Sequence, residues 1–436
     1  MRILHYFLGF PPYRSGGLTK YAFDLAKSQA EDGHVVMAMW PGEIKKYSDN
    51  PEIKKRKKIK GILNFELINP LPVPLDEGIK EFSAFTKSCD IEIYKSFLKK
   101  ENPEIIHIHT LMGIHKEFIK AANQLGISTV FTSHDYFGIC PKVTLFRNGK
   151  CCDNDNECRN CIQCNESALS LKKIKIIQSP IYRFIKNIYI VKKLRKSHRN
   201  KFFNEENFPS MPDVDIEKIS EKYRNLRSYY VDMLESIDFI HFNSTLAEEI
   251  YRRYIRPKDS KVISIVHQGI KKQVIEKIHT GKKVILYLAP TKPYKGWDVL
   301  KKACDQLWQE DKNIELRVFS PVQKKEDYMI VKEEGFNHDE LPQIMSEADM
   351  LVAPSVCYET FGFTVIEALS FGVPVIVSDH VGAKDVVGNS GIIVDAGNCI
   401  ELKNAIKHIN NKKVNVNLKT WTFFMNENYK IYADIW

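Results

Sequence analysis

The chain has 436 residues, 44% of them hydrophobic and 27% charged. That is longer than the roughly 250–300 residues at which a single core stops growing, and too apolar for a disordered chain, so two folded domains are expected. No apolar run reaches the 18 or so residues of a membrane span, and the apolar start at 3–10 meets Pro11-Pro12 without a basic leader, which excludes an integral membrane protein and predicts a cytoplasmic one. The formal charge of +10 comes from 64 basic and 54 acidic residues, and eleven of the basic ones lie in 172–201 with no acid among them. The excess is therefore local, a patch suited to an anionic partner such as phosphate-bearing lipid or nucleic acid, or else a solvated helix face.

Along the chain, 3–8 reads as a buried strand, 11–17 as a Pro/Gly loop, 18–31 as an amphipathic helix stopped at Gly33, and 34–39 as a second strand. Strands at 105–109 and 128–132 flank a helix at 116–125. Such alternation predicts a parallel sheet covered on both faces. It stops between about 140 and 230, which reads as an insertion, and returns with strands at 239–242, 262–266, 284–288, 316–319, 350–353 and 375–377. A second parallel sheet follows from this, with the domain boundary at 245. Residues 421–436 carry apolar side chains at helical spacing (Phe424, Tyr429, Tyr432, Ile435).

Six of the ten cysteines fall between Cys140 and Cys164. Cys158, Cys161 and Cys164 are spaced by two residues and preceded by Cys151 and Cys152, a density that can hold a structural zinc or simply leave free thiols in a reducing cytoplasm. Asp213-Val214-Asp215 mimics a metal-binding D-x-D but lies in the polar insertion, and no metal is assigned to the chemistry. After Pro180, Ile181, Phe184, Ile185, Ile188 and Val191 or Leu194 form one helical stripe with Arg183, Lys186, Lys193 and Lys196 largely off it, the pattern of a cationic helix lying on an anionic membrane surface.

Gly16-Gly17 stands where the first strand hands over to the first helix, so backbone N–H groups there can approach a phosphate. Glu359 and Glu367 lie eight positions apart across a loop that opens a helix near Thr364, where Phe361, Gly362 and Phe363 present N–H groups. His134 follows the strand 128–132, at the strand end where ligands of parallel sheets lie. His107 and His109 alternate on a strand and read as structural.

Taken together, Glu359, Phe361, Gly362, Glu367, Ala368, Gly372 and Pro374 resemble the E-x7-E donor segment of glycosyltransferase family 4. Asp339 to Ile344, Ala348-Asp349, the diphosphate-binding Lys295-Gly296, and Gly16-Gly17 with Leu25-Ala26 and Gly33-His34 are similar to other segments of that family in the same order. The resemblance covers about three quarters of the chain. It implies an α/β GT-B fold: two Rossmann-like domains whose parallel sheets face a cleft, residues 1–245 with the 420–436 helix crossing back to them, and 246–419 as the donor domain. It implies a retaining glycosyltransferase of cell-surface polysaccharide or glycolipid synthesis, bacterial in type, taking a nucleotide diphosphate sugar and a glycan or lipid-linked glycan acceptor. It would work on the inner face of the cell membrane, with no nucleic acid partner. By the same resemblance, Glu367 holds the ribose; Lys295, Gly17 and the helix start at Phe363-Thr364 hold the diphosphate; Glu359, Phe361 and Gly362 hold the sugar; and His134 orients it. One position departs: where members carry Arg, five residues before Lys295, stands Pro290, and Lys292 can supply charge but no bidentate fork. A non-catalytic GT-B-like protein binding nucleic acid through the basic stretch, and a GT-B nucleotide-sugar epimerase, are the alternatives; the intact Glu359 and Glu367 pair disfavours both.

Overall fold

In a computed structural model, the chain is described over residues 1–436 except 12–13, 15, 46–47, 186–187, 189–190, 192, 194–210, 274, 410–413 and 416–417. The strands are β1 (Arg2–Tyr6), β2 (Val35–Pro41), β3 (Glu52–Ile59), β4 (Ile62–Ile68), β5 (Ile105–Ile108), β6 (Ser128–Thr132), β7 (Phe146–Arg147), β8 (Lys150–Cys151), β9 (Phe239–Phe242), β10 (Ser260–Val262), β11 (Lys283–Tyr287), β12 (Ile314–Val318), β13 (Met329–Val331), β14 (Met350–Ala353), β15 (Val375–Ser378) and β16 (Gly391–Val394). Two large sheets form, ordered β10-β9-β6-β5-β1-β2-β4-β3 and β13-β12-β11-β14-β15-β16. Every pairing in them is parallel except β3 with β4.

The antiparallel β3–β4 pair was not anticipated, because β3 (EIKKRKKI) carries almost no buried residue and shows no apolar alternation. Its charge is what an edge strand needs to refuse further pairing. β4 is buried, and its Glu66, fully inside, is ion-paired to Arg56 on β3 at 2.7 Å.

Two corrections concern boundaries. The helix Ile216–Glu235 buries Tyr223, Leu226, Tyr230, Met233 and Leu234 in the first domain's core, so the irregular segment ends near 215 rather than 230. Asp215 caps this helix by accepting from the Lys218 N–H at 3.0 Å, which gives the D-x-D a structural use. The first sheet also takes in β10, so the expected boundary at 245 falls inside the first domain, at the start of the helix Thr245–Arg252. The 262–266 expectation was displaced for the same reason: only Val262 of that run is paired, and Ile263, Ile265 and Val266 are buried in the connection onward.

The C-terminal helix Trp421–Ile435 is packed on the first domain. The Trp421 indole donates to Ser28 Oγ at 2.9 Å, Tyr429 OH to Asp32 at 2.7 Å, and Ser128 Oγ to the Ile435 carbonyl at 2.7 Å.

Candidate active site

The first helix, Gly17–Glu31, begins on Gly16 at φ 112°, a backbone state open to glycine, and leaves its first N–H groups pointing out of the end of β1. Opposite it the helix Phe363–Ser370 begins on Gly362, at φ 118°. The two starts meet: a Cβ on Gly17 would lie 3.1 Å from the Phe363 ring. Both helix dipoles thus present their positive ends to one place between the domains, an arrangement that favours an anion.

On the second domain the charges are paired. The Lys295 ammonium lies 3.1 Å from Glu359, and Ser355 donates to the other Glu359 oxygen. Burial alone would lower the Lys295 pKa, but Glu359, with Cys357 and Tyr294, outweighs it and holds the ammonium above its ordinary value. Lys295 is thus a fixed cation across the neutral pH range. Lys292 opens the 3-10 turn Pro293–Lys295, and its carbonyl accepts from the Lys295 N–H at 3.0 Å. Gly296 closes the turn at φ 74°, where an added Cβ would lie 1.9 Å from the Pro354 carbonyl oxygen; the approach that seats Lys295 against the 354–362 loop requires glycine.

Glu367 is only 6% exposed and sits 3.0 Å from His267 Nε2, with the exposed His338 ring at 3.9 Å. His267 Nδ1 accepts from the Gly269 N–H, which leaves its Nε2 protonated toward the carboxylate. Sequence reasoning missed both histidines; His267-Gln-Gly, directly after an apolar run, was the available signal. Phe361 is buried, its ring 5.8 Å from that of Phe363, so it contributes backbone and packing. Thr364 follows in the first turn of the same helix.

His134 belongs to a different system. Gln29 Oε1 accepts from His5 Nε2 (2.7 Å), so His5 Nδ1 must accept from His109 Nε2 (3.0 Å), and His109 Nδ1 from His134 Nε2 (3.3 Å). The other Gln29 atom donates to Tyr432 OH (3.2 Å), Tyr432 to His107 Nδ1 (2.7 Å), and His107 Nε2 to Thr132 Oγ1 (2.7 Å). Thr132 donates on to His241 Nδ1 (3.2 Å), whose Nε2 donates to the Ile263 carbonyl (2.7 Å). The five imidazoles form one neutral ladder with its tautomers fixed, running from the C-terminal helix to the cleft. Burial pushes the His134 pKa down to about 3 and those of His5 and His241 to about 4, with His107 and His109 also well below the ordinary range. The His134 carbonyl accepts from Thr360 Oγ1 (2.9 Å), so the ladder ends directly against the Glu359 loop.

Residues 15–149 match the family described as Glycosyltransferase Family 4, and residues 270–420 match Glycosyl transferases group 1. O-antigen chain mannosyltransferase B of Escherichia coli is 42% identical over 62 residues, 14% of this chain and 16% of that protein, so the match spans about a sixth of the curated relative. Sucrose-phosphate synthase from Thermosynechococcus elongatus superimposes with a TM-score of 0.57 at 16% identity, covering 100% of this chain and 98% of the other. An alpha,alpha-trehalose-phosphate synthase (UDP-forming) from Burkholderia xenovorans, in complex with glucose-6-phosphate, does so at 0.55 and 10% identity over 100% of both. The fold is GT-B. The chain thus carries one segment similar to Glycosyltransferase Family 4 and a second similar to Glycosyl transferases group 1, on that fold.

Proposed function

We propose that this protein transfers a sugar, with retention of configuration, from a nucleotide diphosphate sugar to a hydroxyl of a glycan or lipid-linked glycan in cell-surface polysaccharide or glycolipid synthesis. The observation that best supports the reading is the meeting of two helix N-termini beside the Lys295–Glu359 pair, with Glu367 on the same donor helix. Lys295 and the two helix starts stabilise the diphosphate as its charge develops on departure. Glu367, oriented by His267, takes the ribose hydroxyls; Glu359, held by Ser355 and Lys295, takes the sugar hydroxyls; His134 orients the sugar. The leaving phosphate oxygen accepts the acceptor proton on the face it vacates, so no nucleophilic side chain is needed and configuration is kept. The mannosyltransferase relative and the UDP-forming neighbour are in keeping with a nucleotide-sugar donor. Thermal-shift screening against UDP, GDP and ADP sugars tests this: a true donor at a hundred times its Kd adds about 2.7 kcal/mol of stability, and indifference to every nucleotide sugar would refute the donor site.

The acceptor side is read as facing the inner surface of the membrane. No helix among the described residues is long and apolar enough to cross one. Yet Ile176, Ile177, Ile181 and Ile188 are 61%, 40%, 71% and 51% exposed, beside the exposed Lys172, Lys173 and Lys175. Isoleucines that stand out of the first domain beside lysines favour an anionic lipid surface over core packing. Lys186, Lys192, Leu194, Arg195 and Lys196 lie outside the described residues. Co-sedimentation with anionic but not neutral vesicles, reduced by salt, is the expected result; indifference to both would leave a soluble acceptor.

A further inference from the structure

The first domain carries a second chemical cluster that the transfer reaction does not use. After β6 the chain runs through Cys140, makes the hairpin β7–β8, and turns at Cys152 into the short helix Arg159–Cys164. Cys140, Cys152, Cys161 and Cys164 line one small interior cavity together with Asp155, Lys142 and Arg227. Cys161 and Cys164 are three apart on that helix and so share a face. All are free thiols.

We infer that these four cysteines, Cys140, Cys152, Cys161 and Cys164, bind one zinc ion that staples the hairpin to the first domain. Three observations support it. The first is convergence: Cys140, Cys152, Cys161 and Cys164, from three separate stretches of chain, line one cavity, the ligand set a thiolate zinc site draws on. The second is the surrounding donors: Cys140 Sγ receives backbone N–H groups from Lys142 and Leu145, and the Arg227 guanidinium reaches Cys161 Sγ at 3.9 Å. Such donors to sulfur fix and stabilise ligating thiolates. The third is charge. Lys142 and Arg227 at the cavity, with Arg147 held beside it through Gln163 at 2.6 Å, outnumber the acid Asp155, which is ion-paired to Arg227. A zinc ion with four thiolates carries two negative charges, which this cationic surround balances.

Zinc binding displaces one proton from each of the four thiols, giving one tetrathiolate complex and four protons released to solvent, with no redox change.

The structure also sorts the expected cysteines. Cys151 faces away, its Sγ donating to the Val356 carbonyl at 3.0 Å on the donor loop, and is not a ligand. Cys158 Sγ lies within 4.8 Å of Cys161 Sγ and of Asp155, but it does not line the cavity, and that carboxylate is engaged by Arg227 and by the Cys158 N–H. The hairpin braces the site: Asp153 accepts from Tyr358 OH at 2.7 Å and pairs with Arg253 at 2.7 Å, next to Glu359.

The test is elemental analysis of protein purified under reducing conditions without added metal. About one equivalent of zinc is expected, falling more than tenfold in Cys161→Ser, Cys164→Ser and Cys140→Ser and retained in Cys151→Ser and Cys158→Ala. Exchange of the wild-type protein into Co²⁺ should give the sulfur-to-cobalt charge-transfer band of a tetrahedral thiolate site, which keeps the question decidable if a variant fails to fold. Metal-free protein that also gives no such band would overturn the site. So would zinc lost with Cys158 but kept without Cys140, or an intact mass showing these cysteines paired as disulfides.

Discussion

The two domains reach the cleft with opposite chemistry. The first brings five uncharged imidazoles linked, directly or through Gln29, Tyr432 and Thr132, in a single tautomeric order. The second brings charges: Lys295 against Glu359, and Glu367 under His267. Neutral polar groups that satisfy each other make a rigid floor, whereas Lys295 stays a cation because Glu359 is held against it. Under the proposed function, Lys295 and the two helix starts would hold the diphosphate without the Arg that the resemblance places at Pro290.

Acid should separate the domains most strongly. The ladder histidines have folded pKa values below the unfolded value near 6.5, so the unfolded chain takes up protons first as pH falls. Their contribution is intact above about pH 6.5 and drains as pH drops toward 4, at about 2 kcal/mol per histidine by pH 5. Hydrogen exchange at pH 5 should show β1, β5 and β6 opening before β11, β14 and β15. The reverse order would break the contrast.

Within the second domain, Lys295→Ala should lower turnover about 100- to 1000-fold, as expected for a donor to developing leaving-group charge, and more than Lys292→Ala does. If Lys292→Ala proves the more damaging, the diphosphate is held from the start of the turn instead. Glu367→Ala should weaken donor binding roughly 10- to 100-fold with a smaller change in turnover, because ribose contacts are made equally in ground and transition states. A titration with the nucleotide alone, without the sugar, reads this directly, and an unchanged Kd would remove Glu367 from the donor site. The smallest effect is expected at the ladder's far end. Tyr432→Phe removes the hydroxyl between Gln29 and His107 and should cost about 1 kcal/mol in urea denaturation with little change in donor affinity.

Much of this was legible before the structure. The alternation of strands and helices announces two parallel sheets, and Glu359, Glu367, Lys295 and Gly16-Gly17 stand out by their spacing around helix and turn starts, where the fold brings Gly17 to Phe363 and Lys295 to Glu359. The ladder was not legible: His5, His107, His109, His134 and His241 are spread over more than half the chain, and their relation exists only once β1, β5, β6 and β9 lie side by side. β3 was hidden by its own lysines. Cys140 was passed over as a ligand because its partners reach it through the hairpin β7–β8, a contact that short-range spacing does not encode.

Under the proposed function, Glu359 and Lys295 act together on a donor bound between the helix starts. Purified wild-type, Glu359→Gln and Lys295→Ala proteins can each be incubated with the nucleotide sugar that stabilises the wild type, and the nucleoside diphosphate released over time measured. Release by the wild type and at least a hundredfold slower release by either variant are expected; release at wild-type rates by both variants would contradict a joint role of Glu359 and Lys295.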